Sequence, residues 1–122
     1  MEIKGVPSFT QRNNSQITDY LKFKSDFEVV MKIYKIKDGE RVYHLLAAVE
    51  GPVKKLLLEK KQACKNYQSA KAILRTEILG QNWVMKVTTE FQQIKQRSDE
   101  KITQFMDRFQ LYVNCLEMES NS

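Results

Sequence analysis

At 122 residues the chain has room for one domain and the first element of a second, and its 42% apolar and 29% charged residues are ordinary for a folded globular protein. The wholly apolar runs, such as 45–49 and 56–58, are too short to cross a bilayer, and no secretory segment follows Met1, so the chain is expected to stay inside the cell. The net charge of +5 is concentrated: residues 52–75 hold seven Lys/Arg against the single acid Glu59.

Only four Gly and two Pro punctuate the chain, which favours uninterrupted helices. Residues 1–16, with Gly5, Pro7 and an Asn-Asn-Ser cluster, predict an extended arm whose one large apolar anchor is Phe9. From Ile17, the positions Ile17, Tyr20, Leu21, Phe27, Val30, Met31 and Tyr34 recur at three- and four-residue spacing, which predicts a helix with Ser15 or Thr18 as its cap. Asp38 is the expected cap of a second helix, with Val42, Leu45, Leu46 and Val49 inward and Gly51-Pro52 as its stop. Pro52 can open a third helix that runs to about Cys64, burying Val53, Leu56 and Leu57 and turning its lysines outward.

Asn66 caps the fourth predicted helix, whose stripe is Tyr67, Ala70, Ile73, Leu74 and Ile78 and whose stop is Gly80. Asn82 begins the fifth, with Trp83, Val87, Phe91 and Ile94 along one edge. After a polar turn, Ser98 is the expected cap of a sixth helix with Ile102, Phe105, Phe109, Val113 and Leu116 on its face and Asp99 and Glu100 set against the helix dipole. No strand pattern is visible, so the expected fold class is all-α: a compact bundle of about five helices followed by one more.

Catalytic chemistry has few candidates. There is no Gly-rich phosphate loop and no nucleophile elbow, and His44 is the only histidine, placed at the edge of an apolar stripe where a structural role is expected. Cys64 and Cys115 are far apart and belong to no Cys/His cluster, so neither a metal site nor a disulfide is implied, and no cofactor is expected. The chain reads as a non-enzyme. The candidate nucleic-acid contacts are Lys54, Lys55, Lys60, Lys61 and Lys65, which could recruit RNA by counterion release or simply solvate a helix face.

The segment 94–109, IKQRSDEKITQFMDRF, resembles the major homology region of retroviral and retrotransposon capsid proteins. Ile94, Gln96, Glu100, Phe105 and Arg108 match the spacing of its apolar residue, Gln, Glu, aromatic and Arg. A Gln before the turn and a Glu and Arg beyond it can cross-link that turn by hydrogen bonds. One departure is Arg97, where the family usually has Gly; a positive φ there would cost Arg roughly 1 kcal/mol. Upstream, the Phe9 arm, YLKFKSDFE, LLAAVEGPVKKLL and NYQSAKAILRTEIL follow the order of features in the Gag core of gypsy-class LTR retrotransposons and of domesticated Arc-like proteins.

That resemblance implies three parts: an N-terminal arm over 1–16, a capsid N-terminal lobe over 17–95, and the homology turn with the first helix of a truncated C-terminal lobe over 96–122. It implies a protein that self-associates into a virus-like shell around RNA in the cytoplasm. Alternatively, a domesticated module would bind partner peptides in the groove that receives the arm, or the basic helix would bind RNA directly. The sixth helix presents Ile102, Phe105, Phe109, Val113 and Leu116 without the rest of such a lobe to cover them. Because the 95–98 turn is short and polar, pairing with a second copy is the expected solution rather than folding back over 17–93.

Overall fold

The computed structural model describes residues 3–10, 17–60 and 66–120, together with the backbone but not the side chains of 117–120. Six helices follow a two-residue strand, β1 (Phe9–Thr10): α1 (Ile17–Ile33), α2 (Asp38–Ala48), α3 (Pro52–Glu59), α4 (Tyr67–Leu79), α5 (Trp83–Gln92) and α6 (Ile102–Ser120). A second short strand, β2 (Val49–Glu50), lies between α2 and α3. The all-α class holds.

The strands are the departure. Helix α2 stops at Ala48, and Val49–Glu50 pairs in parallel with the arm, Phe9 opposite Val49 and Thr10 opposite Glu50. Two residues per strand are too few to leave a visible alternation in the sequence. Gly51 then turns the chain at φ 97°, a conformation that disfavours any side chain, and Pro52 opens α3 as expected.

Helix α1 is the hub, packed by β1, α4 and α6. Its Tyr20, Leu21, Phe23, Phe27 and Met31 are buried, joined by Val42, Leu45 and Ala48 from α2, Val49 from β2 and Val53 and Leu57 from α3. Tyr67, Ala70, Leu74 and Leu79 of α4 and Trp83 and Val87 of α5 complete this core. The aromatics run as a chain: Phe9 against Tyr20 and Phe23, Phe23 against Phe27, and Phe27 stacked on Tyr67 with centroids 5.9 Å apart. Such offset and tilted pairs add to the area they bury.

Two helix starts differ from expectation. Asp38 is the first residue of α2 rather than its cap, and its Oδ2 accepts from the Tyr67 backbone N–H at 3.1 Å. Together with Asn66, whose Oδ1 accepts from Ser69 N at 2.8 Å, it satisfies the N-terminus of α4. Helix α6 starts four residues after Ser98. There Gln104 Oε1 reaches back to accept from Lys101 N at 3.0 Å, half of a capping box. Helix α3 ends at Glu59; the expected extension to Cys64 lies outside the described residues, as does the Ser15 cap.

The sixth helix folds back on the same chain, against α1 and α5, which corrects the expectation that its turn is too short. Phe105, Arg108, Tyr112 and Cys115 form its inner edge at three- and four-residue steps, with Tyr112 and Cys115 buried.

Candidate functional site

Helix α5 ends at Gln92, and the chain crosses to α6 through an irregular segment that exposes several backbone polar groups. Glu100 gathers them. Its Oε1 accepts from the Arg97 backbone N–H at 3.0 Å, while Glu100 N donates to Arg97 O at 3.1 Å, closing the turn from both ends. Arg108, two turns into α6, donates through Nε to Glu100 Oε2 and through Nη2 to Oε1, both at 3.0 Å. The same Nη2 reaches Lys95 O at 2.7 Å, and Gln96 Nε2 donates to Glu100 O at 2.8 Å.

The ion pair is well shielded, with the Arg108 and Glu100 side chains 15% and 10% exposed. A fork-to-fork pair with an added backbone N–H strongly favours the ionised carboxylate. The Arg108 hydrogen bonds, then the Arg97 N–H, hold the Glu100 carboxyl down at about 2, and Glu100 in turn raises the Arg108 guanidinium. The acid pair 99–100 thus splits in function: Glu100 serves the turn rather than the helix dipole.

Arg97 fits without strain. The one non-Gly residue at positive φ among the described residues is Lys35, so Arg97 does not adopt the conformation that would have required Gly. Gln96 is exposed, so its bond is made in water and is worth less than a buried one.

Beneath the turn, aromatic packing fixes α6. Phe91 lies 4.9 Å from Phe109 and perpendicular to Tyr112, Phe105 sits 6.3 Å from Phe109, and Arg108 covers the Phe105 ring at 5.6 Å. Tyr112 donates its hydroxyl to Glu90 Oε2 at 2.9 Å. Burial first, then that bond, pushes the Tyr112 phenol up to about 12. Ile94 is half-buried against the core. The five residues that match the homology-region spacing therefore lie around one turn, with Gln96 and Arg108 both bonded to Glu100. Tyr112 and Cys115 escaped the sequence reading, although the steps 105, 108, 112 and 115 carry the signal.

The sixth-helix stripe is split between cover and solvent. Leu116 packs on the core, Phe105 and Val113 are half-buried, and Ile102 and Phe109 remain exposed together with Met106.

The basic cluster is smaller than the charge count suggests. Lys55 and Lys60 are exposed, whereas Lys54 stands 4.0 Å from Glu50; Lys61 and Lys65 lie outside the described residues. Lys71 is buried, 3.7 Å from Glu28 and over the Tyr67 ring, and Tyr67 Oη donates to the same carboxylate at 3.0 Å. Arg75 covers Trp83 at 4.5 Å. These two cations stabilise the bundle and do not extend the patch.

At the other end, the arm fills a groove between α1 and β2. Phe9 is buried there, and Lys4 N donates to Tyr34 Oη at 3.3 Å.

Among the described residues no group of three His, Cys, Asp or Glu is placed to hold a metal ion, and no helix is long and apolar enough to cross a membrane. His44 is half-buried and Cys115 is a buried thiol; Cys64 lies outside the described residues. Compared with protein-family models, with curated proteins and with solved structures, the chain finds no match.

Proposed function

We propose that the chain is a structural, Gag-like capsid module, not an enzyme, which self-associates in the cytoplasm into a virus-like shell around RNA. The observation that carries this reading is the Gln96–Glu100–Arg108 bracket. The residues singled out by their homology-region spacing are the same ones that close the turn before α6, at 2.8 to 3.0 Å. A repeated interface between copies closes into rings or shells when its rotation permits. Electron microscopy of the purified chain, and of a version continued through a complete C-terminal lobe, each with and without RNA, tests it. Closed shells are expected from the extended version with RNA; monomers under every condition would exclude it.

A second reading is supported by the arm. The chain's own arm pairs in parallel with β2 at Val49 and sets Phe9 against Tyr20 and Phe23, the arrangement a strand-adding peptide with an aromatic anchor would use. A domesticated module would take a partner peptide in that groove. A chain carrying Phe9→Ala, titrated with a labelled peptide of residues 3–10, is expected to bind it under this reading, and the parent chain to bind it far more weakly. RNA contact by Lys55 and Lys60 is compatible with either reading.

A further inference from the structure

Helix α6 keeps an apolar line in water after it has folded back. Ile102, Met106 and Phe109 are 56%, 61% and 38% exposed, and Val113 next to them is half-buried. Their steps of four, three and four residues are those of the seam of a two-helix coil, and they lie beside the inner edge rather than on it. Three observations bear on what covers this line. Its spacing is symmetric about the 107–108 peptide, so an identical antiparallel helix places Met106 against Phe109 and Ile102 against Val113, the alternation of seam positions that such pairs use. The outer flanking positions, Thr103 and Gln110, carry no charge that would repel a copy. Exposed Arg97 stands just before the start of α6, where an antiparallel partner brings the last turn of its own α6, the favourable place for a cation.

From these we infer that the outer face of α6 is an isologous interface, on which a second copy packs antiparallel about a two-fold axis at residues 107–108. This rests on the self-association reading above and gives it a surface and a direction. The seam differs from the sequence stripe: Met106 enters it, Leu116 leaves it for the chain's own core, and half-buried Phe105 packs beside Phe109 under the Arg108 guanidinium. Four seam residues per copy make a small interface, so the pair is expected to be weak and to gain stability from repetition within a larger assembly.

Sedimentation of the parent chain across a range of concentrations, with Met106→Asp as comparison, tests the surface. Met106 is mostly exposed, so this variant is expected to melt like the parent while its dimer dissociation constant rises by roughly tenfold or more. Disulfide trapping tests the direction. A mixture of Ile102→Cys and Val113→Cys chains should cross-link above the background set by the parent's own thiols. Ile102→Cys alone should not, since its two copies lie about 16 Å apart along the helices. A parent that dimerises with Met106→Asp unaffected overturns this interface and leaves self-association standing. Self-cross-linking of Ile102→Cys overturns the antiparallel arrangement. A parent that is monomeric at high micromolar concentration overturns both, and leaves the seam to a helix of another protein or to further chain.

Discussion

Arg108 grips Glu100 with both branches of its guanidinium, Nε and Nη2 each 3.0 Å from a carboxylate oxygen, while Nη2 also reaches the carbonyl of Lys95 on the far side of the turn. Replacing Arg108 by Ala removes three hydrogen bonds and leaves the carboxylate with only the Arg97 N–H. A loss of about 1–2 kcal/mol in thermal or denaturant melts is expected, with early fraying of α6 in hydrogen exchange. Gln96→Ala, at an exposed position, is expected to cost about 0.5–1 kcal/mol. Equal and negligible effects from both would remove the bracket as the organiser of this turn.

Glu100 sets an acid limit. Its pKa falls from the usual 4.5 to about 2 on folding, so its contribution is complete above pH 4.5 and is lost as pH drops through that window towards 2. Glu100→Gln should be less stable than the parent at neutral pH, and the difference should shrink between pH 4.5 and 2. A gap that stays constant across that range would mean the ion pair is not what stabilises the turn.

At high pH the sign reverses through Tyr112. Its phenol is raised from 10 to about 12, so the stability it brings is present below pH 10 and is lost as pH rises towards 12. Absorbance titration of the parent should show Tyr112 ionising late or only with unfolding. In Tyr112→Phe the late component should shrink by one tyrosine.

Lys35 occupies the left-handed region, at φ 55°, as α1 terminates with Ile36 N donating to Met31 O at 2.9 Å and Lys35 N to Lys32 O at 3.1 Å. This is the position where helices prefer Gly. Lys35→Gly is expected to stabilise the chain by about 0.5–1 kcal/mol, and chemical denaturation with an unchanged slope checks it. Lys35→Ala is the control, expected to give no such gain.

The basic patch yields a separable outcome. Reversing Lys55 and Lys60 to Glu should leave the melt unchanged, because both are exposed, and should abolish any salt-sensitive RNA retention. Retention that persists and ignores salt would place RNA elsewhere.

What the sequence conveyed depended on how local the cause was. The start of α5, the Pro52 opening, the Asn66 cap and the Gly80 stop follow from neighbours within one turn, and each is found where the spacing placed it. Gln96, Glu100 and Arg108 were legible as a group because their partners lie within a 15-residue stretch of one chain. Contacts made across the fold were not: Asp38 looks like a cap for its own helix and instead serves Tyr67, and Lys71 looks solvated yet is buried against Glu28. The inner edge of α6 differs from the predicted stripe because Phe109 is more apolar than Tyr112 and larger than Cys115. The tie is broken by α1 and α5, whose positions no local pattern supplies.

The pairing of Phe9 with Val49 joins residues forty positions apart through a parallel ladder of only two residues. Closing so long a loop costs entropy before the few ladder bonds return anything, whereas the hairpins of neighbouring helices close early. The arm is therefore expected to lock after the helices that flank its groove. Phe9 burial also depends on α1 and β2 already standing side by side, so docking of the arm reports that these two have met. In a chain emerging from the ribosome, the arm must wait, undocked, until residues 49 and 50 have followed it out.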